Sequence, residues 1–277
     1  MLENRRGLFT GNSSEFISSG GILPGIASIE ERHREFLVTT PRYERFMSGE
    51  SIDEWVGLLG IDVLSLGHPY ITGDIAMQFV RCNDQGGLVT SPQDKFALFI
   101  ASHIHDFGEI IDEEGGVGDI SHDKKQDDDR RKEEMVFSRV LDGCVAQPVE
   151  SALYAQIYSN IVHGDKSQGL GRQFNAIERI GYLLTAHQAF LGQDGERIRN
   201  WKGLVGNVLS NQTGKLIGYA NEYPTVQNVL TLLKDDITAM LDETVNSVPV
   251  IDNEGTASFD VKRLQRAVFD WNQFLAA

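Results

Sequence analysis

Cysteine is scarce in this chain: 277 residues contain two, Cys82 and Cys144, and their spacing fits no thiolate metal site. A disulfide scaffold is therefore excluded, and two reduced thiols in a cytoplasmic protein are expected. Long apolar runs are also missing. The longest candidate, Trp55 to Leu66, is interrupted by Asp62 and falls short of the roughly 18 apolar residues that a membrane-spanning helix needs. No apolar segment follows Arg5 and Arg6, so no secretory signal is expected. Basic residues are few, with 25 Lys+Arg against 40 Asp+Glu and a net charge of −15. That balance argues against long nucleic acid and against an anionic membrane, both of which recruit clustered Lys and Arg. A small anionic substrate stays admissible if a metal ion or a local basic group offsets the repulsion.

Several catalytic signatures are absent too. The loop GDKSQGLG (164–171) lacks the spacing of a phosphate-binding P-loop, and no G-x-S-x-G element occurs. The acidic run 123–129 has neither the central Gly nor the terminal Glu of a calcium-binding EF-hand loop.

Helical patterning fills most of the chain, and strand signals are sparse, so an all-α fold is expected. Residues 1–27 read as an irregular Gly/Ser-rich arm, followed by a helix that Ser28 would cap with Glu31 as its capping-box partner. Ser51 and Glu54 repeat that pattern for a short helix over 51–59, and 72–83 reads as another helix. Residues 92–111 carry the strongest signal: Ser91 as cap, Pro92 at the first position, and Phe96, Phe99, Ile100, Ile104, Phe107 and Ile111 at three- and four-residue intervals. Further helices are expected over 122–140, 147–163, 173–190, 197–209, 225–243 and 259–275. The chain divides on this reading into an arm and first helix (1–50), a core (51–195) and a C-terminal helical extension (196–277). The extension is a candidate partner-binding or homodimer surface.

The chemistry concentrates in SHIHDFGEI. His105 and Asp106 are adjacent on the expected long helix, and Glu109 lies four and three residues further on. One helix would thus present an imidazole and two carboxylates to one spot. Asp and Glu are rarely buried unless paired or bound to metal, and the flanking Phe99, Ile100, Ile104 and Phe107 indicate burial. A surface helix with scattered polar groups is the alternative.

This segment resembles the HD superfamily of metal-dependent phosphohydrolases, in which a His-Asp pair is joined by an upstream His and a downstream Asp. Here those residues are His68, in SLGHPYITGD, and Asp165, in IVHGDKSQGL. The run His105-Asp106-x-x-Glu109, then Gly118-Asp119-Ile120, then the charged stretch Lys124 to Glu134, is similar to the 5′-nucleotidase and 5′-deoxynucleotidase branch. The resemblance covers about residues 60–190. It implies an HD-like helical bundle with extra C-terminal helices, and a divalent ion held by His68, His105, Asp106 and Asp165. Mn, Co, Fe, Zn and Mg all suit such a set. Glu109 and Asp119 would serve as the acid/base groups, and Lys124, His163 and Lys166 are candidate substrate contacts. Arg42 and Arg45 are weaker phosphate-binding candidates, and the charged run 127–134 reads as a solvated face. The implied activity is release of phosphate from a nucleoside or deoxynucleoside 5′-monophosphate by a metal-activated water. A dNTP triphosphohydrolase, a phosphodiesterase and a non-catalytic nucleotide-binding module are the alternatives.

Overall fold

The computed structural model describes residues 24–111, 115–116, 118, 126–252 and 255–277. Its helices in chain order are α1 (Pro24–Arg32), α2 (Arg34–Thr39), α3 (Ile52–Leu59), α4 (Gly67–Gln85), α5 (Pro92–Ile104), α6 (Asp127–Cys144), α7 (Pro148–Ile157), α8 (Gly169–Leu191), α9 (Trp201–Ala220), α10 (Pro224–Leu232), α11 (Lys234–Val245) and α12 (Val261–Ala276). Short 3-10 turns occupy Glu44–Phe46, Ile61–Val63 and Phe107–Glu109, and a π-helical turn spans Tyr158–Val162. Among the described residues β pairing is limited to the isolated bridges Pro41–Leu64, Gln193–Glu196 and Ile251–Ala257. The fold is all-α, as the patterning predicts. No described helix is long and apolar enough to cross a membrane.

Local chemistry sets several helix ends where the sequence places them. Ser51 and Glu54 form the reciprocal capping box of α3. The Ser91 hydroxyl accepts from the Asp94 N–H at 3.1 Å, with Pro92 opening α5. Other ends differ. The first helix begins at Pro24, so Ser28 lies inside it. Helix α4 starts five residues before the expected 72 and carries His68 in its first turn. The expected helix over 225–243 is two helices, α10 and α11, joined at Leu233.

The largest difference concerns residues 92–111, which are not one helix. Helix α5 ends at Ile104, and a 3-10 turn follows at Phe107–Glu109. Side chains bond to carbonyls in the last two turns: the Ser102 hydroxyl donates to Leu98 O (2.8 Å), the His103 ring to Phe99 O (2.9 Å) and the His105 ring to Ser102 O (2.8 Å). Side-chain donors of this kind compete with continuation of the backbone ladder.

The chain forms two compact units. Of the described residues, the first comprises those in 24–42, 64–78 and 90–175, and the second those in 43–63, 79–89 and 176–277. In the first, α6 packs on α1, on α7 and on the turn at Phe107–Glu109. Its buried stripe of Val136, Phe137, Val140 and Leu141 has helical spacing. In the second, α9 packs on α10, α11 and α12, burying Leu204, Val205, Val208 and Leu209 on its own face and Leu264, Ala267 and Trp271 on α12.

Candidate metal centre

The site lies within the first unit and draws on two segments. His68 is 2% exposed and sits in the first turn of α4. Pro69 is tolerated beside it because the N–H groups of a first turn have no intrahelical acceptor. One turn further on, the Thr72 hydroxyl lies 3.2 Å from His68 Nε2. His105 and Asp106 lie just past the end of α5. The helix break resolves a geometric difficulty, since adjacent residues on a continuous helix point about 100° apart. Here Asp106 leads into the 3-10 turn, and its Oδ1 lies 3.2 Å from His105 Nε2.

The three side chains converge. Asp106 Oδ2 is 3.9 Å from His68 Nε2, and the two imidazole rings are 5.0 Å apart at 67°. One ligand atom from each of His68, His105 and Asp106 lies within 4.8 Å of the others. The tautomer of His105 follows from its partner. A carbonyl oxygen only accepts, so Nδ1 carries the proton that goes to Ser102 O at 2.8 Å, and Nε2 keeps its lone pair facing Asp106. Phe174 closes one side of His105, with ring centroids 5.6 Å apart. Arg42, also buried, places Nε 3.8 Å from Asp106 Oδ2.

Two imidazoles and one carboxylate, buried and within one ion's reach, fit a divalent transition metal of the Mn, Fe, Co or Zn kind better than calcium, which takes all-oxygen cages. The group could therefore hold a metal ion.

The other residues expected at the site fall into three sets. Glu109 is half-buried at the end of the 3-10 turn, and its carbonyl accepts from the Gly118 N–H at 3.1 Å. Gly118 has a φ of 70°, which glycine adopts freely. Asp119 and Lys124 lie outside the described residues. Asp165 is exposed and is not brought into the group. Its carboxylate accepts from the Ser167 N–H (2.8 Å) and from Gln168 Nε2 (2.9 Å) within its own loop. Hydrogen bonding from Ser167 holds its carboxyl below the ordinary range. Lys166 donates to the carbonyls of Ile161 (2.9 Å) and Val162 and lies over the Phe174 ring at 5.0 Å, so its ammonium caps the π-helical turn. His163 sits between two carboxylates, 3.7 Å from Glu133 and 3.8 Å from Glu134.

Glu133 is the residue that the sequence reading passes over. The run 127–134 reads as solvated, yet Glu133 is 2% exposed. Its signal is positional: it stands three and four residues before Val136 and Phe137, on the buried stripe of α6. Tyr158 is likewise unanticipated. It is 2% exposed, stacks on Phe137 at 3.9 Å and meets the His163 ring at 4.7 Å, tilted by 35°. Comparison of the chain with family models, curated proteins and solved structures finds no match.

Proposed function

We propose that the chain is a metal-dependent phosphohydrolase that releases phosphate from a small nucleotide, with a nucleoside or deoxynucleoside 5′-monophosphate as the preferred substrate. One observation carries the reading: His68, His105 and Asp106 offer ligand atoms within 4.8 Å of one another. The ordered His68, His105-Asp106-x-x-Glu109 and Gly118-Asp119-Ile120 pattern supports it.

In this reading His68, His105 and Asp106 hold a divalent ion. When bound, such an ion offsets the charge of a phosphate monoester and acidifies water. Arg42, whose guanidinium stands 3.8 Å from Asp106, binds and orients the phosphoryl oxygens. Glu109 accepts the proton as water oxygen bonds to phosphorus, and the ester P–O bond breaks. Asp119 returns a proton to the leaving alkoxide. The apolar wall at Phe174 and Phe107, both buried, keeps bulk water away from His105 and Asp106.

The test is phosphate release from a panel of nucleotides with Mn²⁺, Co²⁺ or Mg²⁺. The expected result is inorganic phosphate from 5′-monophosphates, abolished by chelator and by His105→Ala. Triphosphate from dNTPs or an opened cyclic ester would reassign the substrate. Binding without turnover would leave a regulatory module.

A further inference from the structure

The first unit contains a second polar group that the proposed reaction does not use. Tyr158 opens the π-helical turn, where the His163 N–H donates to its carbonyl at 2.9 Å. Such turns recur at functional positions. This one carries Tyr158 and His163 to the same face of α6, where Phe137 and His163 hold the phenol ring. The Tyr158 hydroxyl is buried and has no hydrogen-bond partner among the described residues.

Its surroundings are polar and acidic. The hydroxyl fills the space that a Cβ on Gly108 would need, and the Glu133 carbonyl lies 2.8 Å from that same position. Residue 108 is therefore held to glycine, two residues after Asp106 and directly before Glu109. Burial first, and then the negative charges of Glu133, Glu109, Asp106 and Glu134, push the phenol well above its usual range. Tyr158 thus stays a neutral donor; its hydroxyl and Glu133 both lie against Gly108, the residue before Glu109, and carboxylates accept only. A buried donor in that setting needs an oxygen partner, and a buried water with two to four polar neighbours is the usual solution.

We propose that Tyr158, Glu133 and Glu109 hold one buried water, and that Tyr158 through this water is a positioning residue for the Glu109 carboxylate. The role assigned to Glu109 rests on the phosphohydrolase reading, whereas the water does not. No proton leaves the phenol. Its O–H donates to the water, and the water's two hydrogens go to the carboxylates.

Tyr158→Phe tests this, because it keeps the ring stacking and removes only the hydroxyl. Crystal structures of the wild type and the variant are the first measurement. The expected result is a water about 2.6–3.2 Å from the Tyr158 oxygen, lost in the variant, with the Glu109 carboxylate displaced or disordered. A direct protein partner for the hydroxyl, or an unmoved Glu109, would overturn the proposal whether or not the protein is an enzyme. The second measurement is kinetic. Mn²⁺ affinity and KM should stay within about twofold of wild type, while kcat falls at least about tenfold, the pattern of an interaction made in the transition state. Wild-type kcat in the variant would overturn the positioning role. A wild type that releases no phosphate defeats the phosphohydrolase reading instead, and the crystallographic comparison then decides the water and the position of Glu109.

Discussion

The two units bury polar side chains to different ends. In the second, buried polar groups close local structure. Asn83 Oδ1 accepts from both the N–H (3.2 Å) and the hydroxyl (2.8 Å) of Thr225 at the start of α10. Asp252 accepts from the N–H and hydroxyl of Thr256, at 2.9 and 3.0 Å, with Arg45 at 4.0 Å. Arg179 donates to Gln212 at 2.8 Å. Each pair ties one backbone segment to another. The first unit has such bonds too, from Ser102 and His103 to backbone carbonyls, but there His68, His105, Asp106 and Arg42 also turn toward one another, and the histidines present nitrogens to a carboxylate. Burial alone does not identify a functional group; convergence of unlike ligand atoms on one point does.

Substitutions in the two units should therefore part stability from metal binding. The largest effect is expected from His105→Ala, which removes one of three ligands. Divalent metal affinity should fall by at least about 100-fold, since even the partners of ligands are worth 10–100-fold, and phosphate release should vanish with it. Calorimetric metal titration checks the first and a phosphate assay the second; unchanged affinity would end the distinction between the units.

Gly108→Ala is expected to perturb both properties. The added methyl meets the Tyr158 hydroxyl and the Glu133 carbonyl, and overpacking of this kind costs about 1–3 kcal/mol. Thermal unfolding should shift down by about 2–4 °C per kcal/mol for a chain of this size. Asn83→Ala should destabilise by about 1–3 kcal/mol as well, because the Thr225 N–H loses its buried acceptor while the hydroxyl keeps Phe79 O. Here metal affinity should stay at the wild-type value, and a parallel loss of metal would blur the comparison. The smallest effect is expected from Asp165→Ala. An exposed carboxylate occupied by Ser167 and Gln168 should leave metal affinity within about twofold of wild type. A 100-fold loss would show instead that the loop refolds to supply a fourth ligand.

Much of this was legible in the sequence, for physical reasons that can be named. Ser51 with Glu54, and Ser91 with Pro92, are local signals, because a cap depends on residues three apart. His105 and Asp106 were legible because a carboxylate in apolar surroundings needs a partner or a metal, and His68 only through the resemblance of the ordered pattern to a known family. The end of α5 at Ile104 was not, since the periodicity of Phe107 and Ile111 continues through the break. At the break the His105 ring takes the Ser102 carbonyl, the acceptor that a continued helix would offer to the Asp106 N–H, and a hydrophobic pattern does not register that. Glu133 was hidden by its charged neighbours, although its spacing to Val136 and Phe137 places it on the buried stripe. Asp165 looked like a ligand by order along the chain; its hydrogen bonds within its own loop are set by backbone geometry, which residue order does not reveal.

The central claim is that His68, His105 and Asp106 form a metal centre. Titration of metal-free protein with Mn²⁺ or Co²⁺, wild type beside His68→Ala, His105→Ala and Asp106→Asn, tests it most directly. The account predicts a site of one ion per chain in the wild type that a chelator empties, and at least about 100-fold weaker binding in each variant, with folding intact by thermal unfolding. Wild-type affinity in all three folded variants, or no binding in the wild type, would contradict it.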